Sequence, residues 1–380
     1  MKNIAFYIPL LNMGGAEKVV IDILNQIVID DLNHKFYLIV DNVNSKLINK
    51  LSKNITILHL DNKNTFGLIE KIYKLKFLLN HYQIDLIISH LTHTNLHVSL
   101  SKLIFKDVKT KIVLTEHSIL SDYMNSIQSL KQKVMSKLIS YLYKKADKII
   151  SVSDAVKNNL ITSWNIPNNL LIRIYNPINT IHITKLANEK IDDNIVELYK
   201  NKKIIVSIGR LEVQKNHILL LKSVNILKND FQEFILLIVG GGSMKKELIE
   251  YVNKNKLERY VQFLDYQVNP YKYLKLANTF VLPSSFEGFG IVLVEALYLN
   301  KNIVSTNILA SREVLENEKY GNLCEKNPTA MSNALYKSLC FDKDNFELSK
   351  KANEYRVEKI TNEYISLIDN ILDPCNTPTN

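Results

Sequence analysis

Short apolar segments rich in Ile, Val and Leu alternate along the chain with amphipathic stretches, and this alternation constrains the fold more than any other feature. Near-continuous apolar strands separated by helices are typical of parallel sheets that are buried on both faces. The pattern therefore predicts an α/β protein. The predicted strands are residues 3–8, 35–40, 55–60, 85–89, 111–115, 148–152, 171–175, 204–208, 234–239, 261–264, 279–282 and 302–305.

The segments between most of these strands repeat their apolar residues at the spacing of one helix face. Such helices are expected to cover the two faces of each sheet. The predicted helices are residues 16–29, 66–81, 94–105, 129–145, 154–164, 217–227, 244–253, 270–276, 291–299 and 328–339, with one or two more in 345–372.

The alternation pauses after Asn176-Pro177, because proline bars the residue before it from helical geometry. We therefore predict two Rossmann-like domains, residues 1–177 and 178–355, the second beginning with a linker at 178–202. A C-terminal helix at about 356–372 is expected to pack back on the first domain. Open α/β sheets bind ligands at the carboxyl ends of their strands, so the substrates are expected in a cleft between the two domains.

The positive charge is concentrated in the first half of the chain. The whole sequence has 48 Lys and Arg against 38 Asp and Glu, a formal charge of +10. Residues 1–180 hold 22 basic and 13 acidic side chains (+9), and the other 200 residues hold 26 and 25 (+1). A basic surface attracts phosphate, nucleic acid or anionic lipid.

Ten lysines lie between residues 102 and 148. At about 100° per residue, four of them are predicted to share one helix face within about 60°. This face is either solvated or rests on an anionic membrane. The four lysines are Lys133, Lys137, Lys144 and Lys148.

Several classes of protein and site are not expected. No apolar run approaches the ~18 residues that a membrane-spanning helix needs, and the apolar start is too short for a signal peptide. The three cysteines are widely spaced and form no CxxC pair, so neither a disulfide framework nor a zinc site is predicted. We expect a cytoplasmic protein, with the inner face of the membrane as an alternative peripheral location.

Two glycine-rich segments follow predicted strands. Gly14-Gly15 precedes a helix, and Gly240-Gly241-Gly242-Ser243 follows the strand at 234–239. Glycine allows backbone N–H groups to approach a phosphate at a helix N-terminus. Each segment could equally be a plain turn, the second with Ser243 as N-cap. Neither is the GxGxxG of nicotinamide-binding domains.

Arg210 and Lys215 follow the strand at 204–208 and its terminal Gly209. Two cations at a strand-to-helix junction can hold a diphosphate and neutralise the charge that develops as it leaves. The alternative is a pair of ordinary surface charges.

The most specific segment runs from Pro283 to Ala296 and reads PSSFEGFGIVLVEA. Its two carboxylates, Glu287 before a helix and Glu295 inside it, can accept hydrogen bonds from sugar hydroxyls. The neighbours of Glu295 on that helix are apolar, so a buried and partnered carboxylate is expected, with an exposed one as the alternative.

Together these motifs resemble the retaining glycosyltransferases of family 4, which have the GT-B fold. The resemblance runs from Gly14-Gly15 to Glu295, and it implies a nucleotide-sugar donor, usually UDP-linked, bound by the C-terminal domain. It also implies transfer with retained anomeric configuration and without a metal or cofactor. The implied acceptor is a glycan or lipid-linked glycan of bacterial surface polysaccharide, lipopolysaccharide or glycoprotein assembly.

Carried over residue by residue, the resemblance assigns Arg210 and Lys215 to the diphosphate, Glu287 to the sugar and Glu295 to the ribose. It assigns His117, which ends a predicted N-domain strand, to a place beside the donor sugar. His90, His93 and His97 are interpreted as capping or surface residues, with contact to the acceptor as the alternative. The remaining implied donor-binding residues are Gly15, Gly209, Gly241, Phe289, Gly290 and Ile291.

Two other functions stay open at this point. A UDP-sugar 2-epimerase-like enzyme shares the fold and the donor but takes no acceptor. A basic nucleic-acid- or lipid-binding protein without catalysis would explain the charge, although lysines outnumber arginines and no aromatic motif interleaves with them. Nucleic acid is therefore not an expected partner.

Overall fold

The computed structural model describes residues 1–11, 14–42, 47–60, 67–125, 130–191, 197, 199–340 and 346–373, without the side chains of 123–125, 130–135 and 346. The chain forms two compact units. The first is Met1–Pro177 with Val357–Asn380, and the second is Ile178–Arg356.

The first unit is a seven-stranded parallel sheet with helices between the strands. Its final helix is buried through Tyr364, whose ring lies 6.2 Å from that of Phe6. Its elements in chain order are β1 (Lys2–Tyr7), α1 (Gly15–Asp30), β2 (His34–Val40), β3 (Thr56–His59), α2 (Leu68–His81), β4 (Leu86–His90), α3 (Thr92–Ile104), β5 (Lys111–Glu116), α4 (Leu120–Asn125), α5 (Leu130–Tyr143), β6 (Lys148–Ser151), α6 (Asp154–Trp164), β7 (Leu171–Arg173) and, after the second unit, α15 (Val357–Leu372).

The second unit repeats this plan with six parallel strands. Its elements in chain order are α7 (Thr180–Ala187), β8 (Lys203–Ile208), α8 (His217–Asp230), β9 (Phe234–Val239), α9 (Lys245–Lys254), β10 (Val261–Phe263), α10 (Tyr271–Leu276), β11 (Thr279–Leu282), α11 (Ile291–Tyr298), β12 (Asn302–Thr306), α12 (Leu309–Val314), β13 (Asn322–Cys324), α13 (Pro328–Cys340) and α14 (Phe346–Ala352).

Strand order fixes where each sheet can bind a ligand. The orders are β3-β2-β1-β4-β5-β6-β7 in the first unit and β10-β9-β8-β11-β12-β13 in the second. From β1 the chain adds β2 and β3 on one side, and from β8 it adds β9 and β10. The next strand, β4 or β11, then pairs with the other side of β1 or β8, and the later strands continue outward from it. The loops after β1 and β4, and after β8 and β11, therefore flank a topological switch point, the usual place for a ligand in an open α/β sheet.

The strands of the second unit are buried on both faces. Ile205 and Leu236 pack into one apolar cluster with α8, α9 and α13, while their neighbours Ile204 and Ile235 pack into another with Tyr273 of α10. Because side chains alternate between faces, a strand covered by helices on both sides must be apolar at nearly every position. This explains the uninterrupted Ile, Val and Leu runs.

The predicted α/β class with two Rossmann-like sheets is confirmed. Four short elements were not predicted: α4, α7, α12 and β13. Three of them are helices of six to eight residues and the fourth is a three-residue strand, too short to show a period. The helix predicted at 129–145 ends at Tyr143. The backbone N–H groups of Lys145 and Ala146 donate to Leu142 O and Tyr143 O, and these turns end the helix before β6.

Candidate functional site

The loops after β8, β9 and β11 converge at the carboxyl edge of the second sheet. The backbone N–H of Leu211 donates to Gly241 O (2.9 Å), and that of Met244 donates to Leu211 O (2.9 Å). The N–H of Ser285 donates to Gln214 O (2.8 Å), and the Gln214 amide donates to Phe286 O (2.9 Å). Residues 209–215 are thus tied to the glycine loop on one side and to the β11 loop on the other.

Lys215 and Glu287 form the charged centre of these loops. Lys215 Nζ lies 2.5 Å from Glu287 Oε1, which also accepts a hydrogen bond from Ser284 Oγ at 2.6 Å. The Glu287 side chain is 9% exposed and that of Lys215 is 18% exposed. Two donors hold Oε1, and no hydrogen bond from a described residue reaches Oε2. This leaves Oε2 able to accept a further hydrogen bond.

Arg210 is exposed and forms no ion pair with the described part of the chain. The neighbouring carboxylate of Glu212 is held elsewhere, by the N–H of Ser243 (3.1 Å) and by Ser243 Oγ (2.7 Å). These hydrogen bonds from Ser243, and more weakly the charge of Arg210, lower the pKa of Glu212. The arginine is therefore available to an anion, while Glu212 fastens the glycine loop.

The glycine loop has two positions that admit no side chain. A Cβ on Gly240, whose φ is +149°, would lie 1.9 Å from Gly209 O. A Cβ on Gly242 would lie 2.4 Å from Leu211 O, whereas one on Gly241 would meet nothing within 4 Å. The close approach of the two loops thus requires Gly240 and Gly242. Gly241, the predicted donor-binding residue, faces open space.

Glu295 is buried, as the apolar helix around it predicted, and its Oε1 accepts a hydrogen bond from Tyr271 Oη at 2.8 Å. Gly290 caps α11 with φ +79°, a left-handed conformation that suits glycine. Ile291 is the first residue of α11, and the buried ring of Phe289 lies 5.5 Å from that of Tyr355. Tyr271 was not predicted as a site residue; the apolar neighbours of Glu295 signalled only that it needs a partner.

In the first unit the residues at the ends of β4 and β5 form a second polar centre. His90 is fully buried, and its Nδ1 lies 3.0 Å from Nε2 of the partly exposed His117. His90 is therefore neither a helix cap nor a surface residue, and that interpretation is wrong. Gly15, the predicted donor-binding glycine of this unit, is the first residue of α1.

Glu116 is buried beneath His117. Its Oε1 accepts the backbone N–H groups of His117 (3.1 Å) and Ser118 (3.2 Å), and its Oε2 accepts the hydroxyls of Tyr143 (2.8 Å) and Thr92 (3.1 Å). Burial nevertheless dominates over these hydrogen bonds and raises the pKa of Glu116 to about 7. Glu116 fixes the backbone from which His117 projects.

Glu116 should make stability depend on pH. Between the ordinary value of 4.5 and about 7, the folded chain keeps a proton on Glu116 that the unfolded chain has released. Its contribution to stability is therefore lost as pH rises through this window. We expect the free energy of unfolding of Glu116→Gln, relative to the original chain, to rise by about 3 kcal/mol between pH 4.5 and pH 8 in urea titrations. A difference that stays flat would contradict a buried, protonated Glu116.

A polar cluster at the ends of β1 and β2 was missed by the sequence analysis. Tyr7 Oη donates to Asp41 Oδ1 (2.8 Å) and lies 3.2 Å from His97 Nδ1, while Lys71 Nζ lies 2.7 Å from Asp41 Oδ2. Burial, followed by the charge of Lys71, lowers the pKa of His97 to about 4. His97 is thus partnered inside the fold, whereas His93 is exposed as expected. The signal was available, since Tyr7 and Asp41 stand at strand ends.

The four lysines predicted to share one helix face do not share a helix. Lys133 and Lys137 lie in α5, with the Lys133 side chain outside the described residues. Lys144 follows the helix and is exposed, and Lys148 begins β6, where its Nζ donates to Asn169 O at 2.8 Å. The helical projection failed because it continued through the chain reversal after Tyr143.

Among the described residues, no group of three or more His, Cys, Asp or Glu is placed to hold a metal ion. None of the described helices combines the length and the apolar composition that a bilayer-spanning segment needs.

Comparison with known proteins adds two family matches. The family described as Glycosyl transferases group 1 matches residues 188–356, and the family described as Glycosyltransferase Family 4 matches residues 13–182. The two matches follow the two structural units.

Among curated proteins, a Campylobacter jejuni enzyme is 32% identical over 86% of both chains. It is an N-acetylgalactosamine-N,N'-diacetylbacillosaminyl-diphospho-undecaprenol 4-alpha-N-acetylgalactosaminyltransferase. An uncharacterised glycosyltransferase of Methanocaldococcus jannaschii is 31% identical over 66% of this chain and 62% of its own length. Among solved structures, Anabaena HepE in complex with UDP-glucose superposes with a TM-score of 0.79 at 18% identity, over 97% of this chain and 100% of its own. At that identity the likeness shows a shared fold.

Proposed function

Because this chain belongs to the family-4 glycosyltransferases of GT-B fold, we propose that it moves a hexose or N-acetylhexosamine from a UDP-sugar to a lipid-linked glycan with retention of configuration. The family match and the glycosyltransferase relatives favour transfer over the epimerase-like and non-catalytic alternatives. The donor, the acceptor and the stereochemistry are the proposed parts.

The arrangement of Arg210, Lys215 and Glu287 carries the proposal. An exposed arginine without an ion-pair partner among the described residues stands five positions before a lysine that is already paired to a buried carboxylate. Both follow β8 at the switch point, beside a glycine loop that leaves space at Gly241. Cations and open backbone at this edge suit a diphosphate, and a carboxylate oxygen beside them suits a sugar hydroxyl.

The proposed reaction is a front-face displacement. The bond from the anomeric carbon to the UDP oxygen breaks, and a bond to the acceptor oxygen forms on the same face of the sugar. The acceptor hydroxyl proton passes to the departing diphosphate oxygen, so no side chain becomes covalently attached. Arg210 and Lys215 neutralise the negative charge that grows on the diphosphate, an interaction stronger in the transition state than in the bound donor.

The remaining roles follow from the family resemblance. Glu287 orients the transferred sugar through Oε2, and Glu295 receives the ribose hydroxyls while Tyr271 holds its carboxylate in place. We assign His117 to the transferred sugar. The proposed backbone contacts to donor phosphate or sugar come from Gly15, Gly209, Gly241, Phe289, Gly290 and Ile291.

The acceptor is proposed from the C. jejuni relative, whose name specifies an undecaprenyl-diphosphate-linked saccharide. The decisive experiment offers the protein UDP-N-acetylgalactosamine, UDP-N-acetylglucosamine, UDP-glucose and GDP-mannose with that lipid-linked acceptor. NMR of the product gives the anomeric configuration. Transfer from a UDP-sugar with retention is expected. An inverted product, or an epimerised UDP-sugar formed without acceptor, would overturn the assignment.

We also propose that the first unit docks on an anionic membrane, through a surface formed by α2 and the end of α3. Ile69, Tyr73 and Phe77 recur every four residues on α2 and are 72%, 58% and 63% exposed. Leu103 and Ile104 at the end of α3 are also exposed. A row of large apolar side chains in water is unfavourable unless a partner covers it.

Lysines beside this apolar surface favour a lipid partner. Lys106 and Lys109 are exposed just after α3. Lys76 lies over the Phe105 ring, 4.4 Å from its centroid, but it is already paired with Asp107 at 2.8 Å, so the lysines that remain for headgroups are Lys106 and Lys109. Apolar side chains that enter the interface, flanked by lysines that meet anionic headgroups, are the two components of peripheral membrane binding. In this proposal the surface of α2 and α3 takes the membrane-binding role that the sequence analysis gave to a single face of four lysines.

The triple substitution Ile69→Ser/Tyr73→Ser/Phe77→Ser should weaken binding to phosphatidylglycerol vesicles at least about tenfold in co-sedimentation, because it removes most of the inserted apolar area. The control is Ile29→Ser/Leu32→Ser, two similarly exposed residues, one in the last turn of α1 and one just after that helix. Binding should fall with added salt and be weak on phosphatidylcholine. Equal binding to both lipids, or loss of a dimer in the triple variant, would contradict the proposal.

A further inference from the structure

His90 is the last residue of β4, and His117 directly follows β5, the strand that pairs with β4. His90 is fully buried, and its ring stacks on Phe6 with centroids 5.8 Å apart and planes 15° apart. Its Nδ1 meets His117 Nε2 at 3.0 Å. The stacking and the hydrogen bond together leave the His90 ring one orientation.

A hydrogen bond between two imidazole nitrogens requires one N–H and one lone pair. Burial lowers the pKa of both rings, that of His117 to about 4 and that of His90 well below its usual value. Both rings are therefore neutral at neutral pH, and each carries one proton. Only two tautomer combinations satisfy the contact.

In the first combination, His90 Nδ1–H donates to His117 Nε2, and His117 carries its proton on Nδ1. In the second, His117 Nε2–H donates to His90 Nδ1, and His90 must carry a proton on Nε2. His90 Nε2 is buried and meets no hydrogen-bond partner among the described residues. An N–H buried without an acceptor is rarer in proteins than an underused acceptor, so the first combination is favoured.

We propose that His90 is a positioning residue that fixes His117 as its Nδ1–H tautomer. His117 then offers an N–H donor, and the atom it contacts in the substrate is an acceptor oxygen, of a sugar hydroxyl or a phosphate. Glu116 supports this arrangement by holding the backbone N–H groups of His117 and Ser118. The contact between His117 and the substrate rests on the proposed function. The tautomer of His117 is independent of that function.

The test joins ring-nitrogen NMR with kinetics on the full chain. In protein labelled with ¹⁵N-histidine and assigned by single substitutions, His117 should show a protonated Nδ1 and a bare Nε2. His90→Asn should keep this pattern, because an amide N–H can take the place of Nδ1–H. His90→Leu should release His117 to the Nε2–H form.

Turnover with UDP-N-acetylgalactosamine and the lipid-linked acceptor should follow the tautomer. We expect kcat to fall about 10- to 100-fold in His90→Leu, with the donor KM much less affected, and to stay near the original value in His90→Asn. His81→Leu, which removes an exposed histidine at the end of α2, is the matched control. Melting temperatures of all variants separate these effects from loss of folding.

Each outcome decides a different point. A protonated Nε2 on His117 in the original chain overturns the tautomer assignment. Equal loss of kcat in His90→Leu and His90→Asn, with an unchanged His117 tautomer, reduces His90 to a packing residue. Full activity of His117→Ala would show that His117 takes no part in the reaction. The tautomer measured by NMR would stay valid in that case.

Discussion

Lys215→Ala is expected to lower kcat about 100- to 1000-fold while the donor KM rises less than about tenfold. Lys215 Nζ is held beside the proposed diphosphate site by Glu287, so the cation needs little reorganisation as charge develops. An interaction that strengthens toward the transition state affects turnover more than binding. Arg210→Ala should show the same division. Steady-state kinetics over a range of donor concentrations measures both parameters.

The pair with Glu287 requires two controls. Removing Lys215 leaves a mostly buried carboxylate without its cation, which by itself destabilises a fold. The double variant Lys215→Ala/Glu287→Gln removes that charge and should recover stability without recovering kcat. Lys222→Ala, an exposed lysine on α8, should behave like the original chain. Near-original turnover with only a raised KM in Lys215→Ala would remove Lys215 from the chemistry.

Gly240→Ala is expected to destabilise the second unit by about 3–5 kcal/mol. Its Cβ would lie 1.9 Å from Gly209 O, a backbone atom that cannot swing aside, and its φ of +149° is a conformation that alanine rarely adopts. The matched variant is Gly241→Ala in the same loop, where a Cβ meets nothing within 4 Å. Gly241→Ala should stay within about 1 kcal/mol of the original chain. Urea unfolding measures both.

The two glycine variants also separate folding from donor binding. If Gly241 borders the donor site as proposed, Gly241→Ala should fold normally yet show a smaller thermal shift with UDP. A stable Gly240→Ala protein would mean that the loops after β8 and β9 do not approach as closely as the structure shows. An unchanged UDP response in Gly241→Ala would remove that residue from the donor site.

Most of the fold could be predicted from the sequence, because each parallel strand that is buried on both faces is a continuous apolar run along the chain. All twelve predicted strands are present, since a strand such as β9 is apolar at every position. The elements that were missed, including β13 and α12, are held by their neighbours and not by their own periodicity. The lysine face failed for a related reason, because a helical projection does not show where a helix ends.

The candidate site was predictable where residues are grouped along the chain. Arg210 with Lys215, and Glu287 with Glu295, each lie in one segment at the end of a strand. Their partners were not predictable, because these come from other segments. Tyr271 reaches Glu295 from another helix, and the buried His90 meets His117 from the next strand.

The sequence by itself determined the α/β class, the order of the elements and which loops carry charge or glycine. These properties are local, because they depend on side-chain periodicity and on a few backbone-permissive residues. Only the tertiary structure decided that β8 lies beside β11, which brings Lys215 to Glu287 across 72 residues of chain. Strand order depends on how whole helices pack against both faces of a sheet, and no short segment contains that information.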